Sequence, residues 1–320
     1  MNRYSTFLRR TSSSVIDFIN KVFDAPADLV ETAGNAFFDG FSWLAGKAGI
    51  IGLLFIWAGG VVSAATDLAG SVIKAVGAIT GGIPGGIIRI AGSIFALDWR
   101  GIACGFGNIL SGITGGIIVI LGKAIAFIQL LFMAGRSRPV NNAEKSLISL
   151  VFRRSLATYN IRVVDGHAGL FSMNPRAFVL GNTIYMKGKN AGNDPAIFIH
   201  ECVHIWQNQH LGSRYTSEAL ASQYWGAGYN WEIEAGKGKE WMDFEPEAQA
   251  KFIEDVYRTG GTVSGPGGKG AFFAQDDETL RLFIFNRVNR TAEANSATNT
   301  LRNRTPWRLS MLLCRFYPRK

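Results

Sequence analysis

The sequence predicts an α+β metal-binding domain preceded by a glycine-rich, hydrophobic, mainly helical region. Three observations carry that expectation. Composition changes near residue 136, short strand and helix signals alternate beyond it, and a metal-ligand motif, His200-Glu201-Cys202-Val203-His204, sits inside one of the helices. The resulting division is 1–136 for the helical region, 137–295 for the metal-binding domain and 296–320 for a basic tail.

The chain has 320 residues, 48% of them apolar, which is enough for two domains with a sizeable core. Its formal charge of +9 favours acidic partners or anionic surfaces. The cations are scattered, however, and no phosphate-cradling loop, zinc-finger spacing or aromatic-interleaved basic groove accompanies them, so nucleic acid is not an expected partner. Met1 to Ser14 leads into Val15-Ile16-Asp17-Phe18 rather than a compact apolar stretch, so no classical signal peptide is expected.

Residues 44–135 hold 20 glycines and only seven charged residues. Ala48 to Thr66 is an uncharged run of 19 and Gly101 to Gly122 one of 22, both long enough to cross a bilayer core. Small residues recur at close spacing, as at Gly77, Gly81 and Gly85, and let helices approach closely in lipid. In water each such glycine lowers helicity by about 1 kcal/mol relative to alanine. Membrane lipid contact through 44–135 is therefore expected. The alternative is a soluble bundle in which Gly81-Gly82-Ile83-Pro84-Gly85-Gly86 forms a hairpin loop.

In the second region, Ala143-Glu144-Lys145-Ser146-Leu147 begins a helix running to about Leu156. Strands are expected at Ile161–Val164, Ala177–Leu180 and Thr183–Met186. Asn193-Asp194-Pro195 starts the motif helix, with proline at the first turn where its missing amide costs little, and Gly212 ends it. Thr216 or Ser217 caps the next helix, which bends at Gly226 or Gly228, and Pro246-Glu247 begins a third. Between them, Lys237, Lys239, Glu240 and Asp243 read as a solvated connection. A loop over Gly260–Gly270 and a helix over Asp276–Arg290 close the domain.

Residues i and i+4 share a helix face, so His200 and His204 can bind one metal ion while Glu201 reaches the water on that ion. This is the pattern of a zinc hydrolase. Catalytic zinc usually keeps three protein ligands and an open position. Glu218, 14 residues after His204 at the start of the next helix, is the expected third ligand, with Glu232 or Glu234 as alternatives and His210 as a surface residue. Glu201 is the expected general base. Tyr215, Tyr229 and His210 are candidates for steadying the oxyanion, and Tyr229 is the choice among them. Cys202 reads as core, Trp206, Trp225, Trp231 and Trp241 as packing between helices, and Asn208 as surface.

With these residues in place, the chain resembles the zincin metallopeptidases, in particular the gluzincin branch with a short spacer, on His200-Glu201-Cys202-Val203-His204 and Thr216-Ser217-Glu218-Ala219-Leu220-Ala221. The resemblance implies His200, His204 and Glu218 as ligands of Zn2+, Glu201 as base, and a peptide or protein substrate paired along Asn182–Lys187 as an edge strand. Gly181 to Gly228 also resembles bacterial proteins labelled as related to secretion-system tip proteins. That likeness implies a secretion-system partner, delivery by a dedicated machine or membrane association, and, as an alternative to catalysis, a zincin scaffold with a structural or binding role. Ile184, Phe198 and Trp206 around the motif suggest an apolar residue beside the scissile bond.

Overall fold

The computed structural model describes residues 3–132, 134–173, 175–239 and 241–259. The loop, last helix and basic tail expected beyond residue 260 lie outside the described residues. Three long helices come first: α1 (Arg3–Ala45), α2 (Gly52–Phe95) and α3 (Trp99–Leu131). They pack in sequence order as neighbours, α2 between the other two. No hairpin forms at Gly81–Gly86, because α2 continues through these residues with Pro84 inside it. The chain turns instead at Ala96–Asp98, where Leu97 takes φ 51° and Asp98 caps α3 by accepting from Gly101 N.

What the glycines do is visible at the α2–α3 contact. A Cβ on Gly112 would meet the Ala78 carbonyl oxygen at 2.6 Å, and one on Gly82 would meet the Asn108 carbonyl oxygen at 2.9 Å. Backbone therefore packs on backbone, an approach no larger residue permits.

The remaining described residues are mostly helical around a small mixed sheet: β1 (Arg138–Pro139), β2 (Arg162–Val164), β3 (Phe178–Leu180) and β4 (Thr183–Tyr185), in the order β1-β2-β4-β3. The strand β4 pairs parallel with β2 and antiparallel with β3. Asn182–Lys187 is expected at an edge, but β4 is interior, and the edge strands are β1 and, beside β4, β3. The helices are α4 (Asn142–Phe152), α5 (Pro195–Leu211), α6 (Arg214–Trp225), α7 (Trp231–Gly236) and α8 (Pro246–Thr259). A capping box of Asn141 and Glu144 starts α4. Asp194 caps α5, with Pro195 in its first turn.

Helix α5 crosses the centre of the core. Ile199, Cys202, Val203 and Trp206 are all enclosed by α4, α8 and the sheet. Trp231 and Trp241 are also enclosed, whereas Trp225 is exposed rather than packed. The expected solvated connection is partly enclosed as well, since buried Lys239 pairs with buried Glu234. The unforeseen helix α7 supplies that glutamate.

The helical region and the sheet domain are joined by buried polar contacts. Lys123 of α3 pairs with Asp67 of α2 and donates to Thr183 Oγ1 at 2.8 Å. Asn182 donates to Glu31 of α1 at 2.9 Å and accepts from Asn208 of α5 at 3.1 Å. Asn208, expected on the surface, is thus a buried link between α5 and the first helix.

Candidate metal centre

Helix α5 is enclosed on nearly every side, and that makes its polar residues informative. Buried polar groups need partners, so His200, Glu201 and His204 must each have a reason to be inside. One helical turn apart, the two imidazoles meet edge to face, with ring centroids 5.0 Å apart.

Their outer nitrogens are fixed by neighbours. His200 Nδ1 lies 3.1 Å from Glu254 Oε2, and His204 Nδ1 lies 2.8 Å from Gln207 Oε1. Gln207 spends its amide hydrogens on Pro246 O at 3.0 Å and Gln249 Oε1 at 2.9 Å, so its oxygen is the atom that faces His204. Assigned from the Gln207 bond, neutral His204 carries hydrogen at Nδ1 and presents a bare Nε2, and the Glu254 carboxylate beside Nδ1 favours the same form of His200.

Both Nε2 atoms converge on one carboxylate oxygen. Glu247 Oε2 lies 3.5 Å from His200 Nε2 and 3.4 Å from His204 Nε2, and it is buried with no hydrogen-bond partner. Three electron-rich atoms this close repel one another unless a cation stands among them. Ligand atoms about 2.0–2.1 Å from a tetrahedral metal are separated by about 3.4 Å, so the observed spacing fits an ion at the centre. Among the described residues, His200, His204 and Glu247 form a group able to hold a metal.

Without a metal, protons must play that part. Burial lowers the His200 pKa, but the carboxylates of Glu247 and Glu254 outweigh it and raise the value to about 10. His204 is raised against its burial by Glu247. Burial pushes Glu247 up, yet the two imidazoles hold it well below the usual carboxylate range.

Glu218 does not belong to this group. It lies buried on α6, with Arg214 Nη2 3.8 Å away, and Arg214 in turn bonds Asn108 and Ser111 of α3. Helix α6 starts at Arg214, earlier than a cap at Thr216 or Ser217 would place it. Of its cleft-lining residues, Tyr215, Ala219 and Gln223 form a row, each four apart, with Thr216 and Leu220 beside it. Glu218 stands about 100° away from that row and serves the contact with α3. Nor are Glu232 and Glu234 in the metal-binding group: Glu232 is exposed, and Glu234 pairs with Lys237 and Lys239.

The missed ligand sits in the first turn of α8. Glu247 and Glu254 lie seven residues apart, two turns along one helix face, so one carboxylate meets the ion position and the other orients His200. Two glutamates at that spacing behind a proline helix start were the available signal.

A cleft of about 270 Å³ opens over the group. His200, Glu201, His204, Glu247 and Tyr229 line it, together with Arg176 and Gln223. Glu201 Oε2 is buried without a hydrogen-bond partner, and burial raises the carboxyl's pKa. Tyr229 stands with its ring 5.8 Å from that of His200, and burial pushes its phenol up to about 12, so it remains a donor at neutral pH. Gln223 bridges Tyr229 Oη at 3.2 Å and Glu247 Oε1 at 2.6 Å. Tyr215 donates to Val179 O at 3.3 Å and His210 Nδ1 lies 2.7 Å from Trp206 O, whereas the Tyr229 hydroxyl accepts from Gln223.

The side walls of the cleft are apolar. They come from Phe171, the edge strand at Phe178 and Leu180, Leu220 of α6, and Ile118 of α3. Ile184, Phe198 and Trp206, expected around a substrate side chain, are core residues instead. Comparison with known proteins finds no matching family model, no matching curated protein and no matching solved structure, so the geometry of the site alone carries the functional reading.

Proposed function

We propose that this protein is a zinc-dependent peptidase, gluzincin-like in its chemistry, with Glu247 as the third ligand. The observation that carries this reading is the convergence of His200 Nε2, His204 Nε2 and the otherwise unpartnered Glu247 Oε2 on one point, in a cleft shared with Glu201. Two imidazoles and a carboxylate suit zinc, and three protein ligands leave a position open for catalysis. When bound, zinc supplies a water of lowered pKa and polarises the scissile carbonyl.

The protein's own groups do the rest. Glu201 takes the proton of the attacking water and delivers it to the departing amine, a shuttle suited to a carboxyl raised by burial. The Tyr229 hydroxyl donates to the developing oxyanion. Along the edge strand, backbone groups of β3 hold an extended peptide, and Phe171, Phe178, Leu180 and Ile118 receive an apolar side chain beside the scissile bond.

The deciding experiment compares wild type with Glu201→Gln. Both should bind about one zinc per chain, and only the wild type should cut members of a mixed peptide library. Equal cutting by both removes Glu201 from the chemistry. Zinc bound with no cutting by either, across a wide pH range, leaves a structural or binding role for the ion.

A further inference from the structure

The outward faces of α2 and α3 are apolar where a water-facing helix would be polar. On α2, Val76, Ile83 and Ile87 are exposed, and on α3 the same spacing repeats at Leu110, Ile117 and Leu121. No charged residue is exposed on α2 from Val72 to Phe95 or on α3 from Phe106 to Leu131. The charges there are turned inward: Lys123 pairs with Asp67, Lys74 with Asp28 and Glu31, and Arg89 is buried.

Two threonines interrupt the exposed stripes, and both conceal their hydroxyl. Thr80 donates to Val76 O and Thr114 to Leu110 O, each at 2.7 Å. Such back-bonding satisfies a hydroxyl that has no water to meet. The inside of the bundle is small and polar and its outside large and apolar, the distribution a hydrocarbon solvent selects.

We infer that this face rests on a lipid bilayer, with α2 lying along the surface. The orientation follows from length. Helix α2 has 44 residues, about 66 Å at 1.5 Å per residue, twice the roughly 30 Å of a hydrocarbon core. Beside its two ends, the last turn of α1 and the first turn of α3 each carry an exposed tryptophan near a cation, Trp43 with Lys47 stacked on its ring at 3.9 Å and Trp99 next to Arg100. Both pairs suit the headgroup layer, and neither is needed by a second copy of the chain packing on the stripe. The net charge of +9 favours anionic lipid. Meanwhile Ser111 and Gly115, on another side of α3, meet α6, so the catalytic cleft stays attached while the apolar stripe faces lipid.

The test is flotation of the full chain with vesicles of phosphatidylcholine and phosphatidylglycerol. Wild type should rise with the vesicles, and Ile83→Glu with Ile117→Glu should lower the bound fraction at least about tenfold while zinc content is unchanged. A second measurement needs no change on the stripe: lipids brominated along the acyl chain should quench tryptophan fluorescence, and Trp99→Phe should remove part of that quenching. Wild type that stays unbound and unquenched overturns the inference, as does a correctly folded double variant that floats equally well. A wild-type dimer that the double variant breaks, with no uptake by vesicles, assigns the face to a second copy instead.

Discussion

In the helical region Gly112 and Gly116 are enclosed and Ile117 and Leu121 stand outside, whereas around the metal centre Ile184 and Trp206 are enclosed and Lys187 and Gln223 stand nearer the surface. One chain has used opposite rules of burial in its two regions. Around the metal centre, apolar area removed from water is the driving force, and polar groups enter only where a function or a partner holds them. Between α2 and α3 the gain comes from close backbone approach and inward-paired charge. The first arrangement hides large apolar side chains, and the second hides glycines and charges and leaves large apolar side chains outside.

The sharpest way to break the comparison is at the two carboxylates that sequence spacing confuses. Glu247→Ala should reduce zinc affinity by more than about 100-fold, beyond the loss usual for an outer partner of a ligand, whereas Glu218→Ala should leave zinc bound. Equilibrium titration against a competing chelator reads both. Zinc lost with Glu218 and kept without Glu247 would reverse the ligand assignment. Glu218→Ala should instead loosen the contact of α6 with α3, where Arg214 is its neighbour.

Packing offers the next test. Gly112→Val places atoms against the Ala78 carbonyl and should cost about 1–3 kcal/mol, while Ile117→Ala on the outward face should stay within about 0.5 kcal/mol in water. Around the metal centre the order inverts, since Ile184→Ala leaves a cavity and should cost about 2–5 kcal/mol. Denaturant unfolding measures all three. An Ile117→Ala variant as damaged as Ile184→Ala would show that the α3 stripe is core after all.

These effects also explain what could be read from sequence. Asp194-Pro195 and Gly212 delimit α5 by local chemistry, so the motif helix was legible to within a residue, and so were β3 and β4. Which strand is at the edge was not, because strand order depends on how β2 crosses to pair with β4. Glu218 misled because face, rather than spacing, selects a ligand, and within α6 that carboxylate stands about 100° round the helix from Ala219, which lines the cleft. Glu247 lies 43 residues beyond His204, and only the tertiary fold of α8 against α5 brings it back. The inside-out character of α2 was visible as glycine spacing, but its continuity through Pro84 was not, since proline and four glycines locally favour a turn and the packing of α1 and α3 overrides them.

The remaining contrast concerns pH. The charged groups enclosed by the helical region include direct pairs of opposite sign, Lys123 with Asp67 and Lys74 with Glu31. The metal centre instead collects carboxylates around two imidazoles and needs protons or a cation to offset them. With His200 raised to about 10, the metal-free site is protonated at neutral pH, so binding zinc must expel protons. Zinc affinity should therefore climb with pH up to about 10, by no more than about tenfold per unit for each proton released. Metal-free stability should move the other way. A histidine whose folded pKa lies above its usual 6.5 contributes stability that is complete below 6.5 and disappears as pH rises through about 10. Calorimetry in buffers of different ionisation enthalpy counts the protons, and unfolding of metal-free protein across pH 6.5 to about 10 gives the second trend. His200→Asn should flatten that part of the stability profile. Zinc binding without proton release, together with unchanged metal-free stability over the same window, would mean that His200 is neutral in the empty site and that its two carboxylate neighbours are offset by some other group.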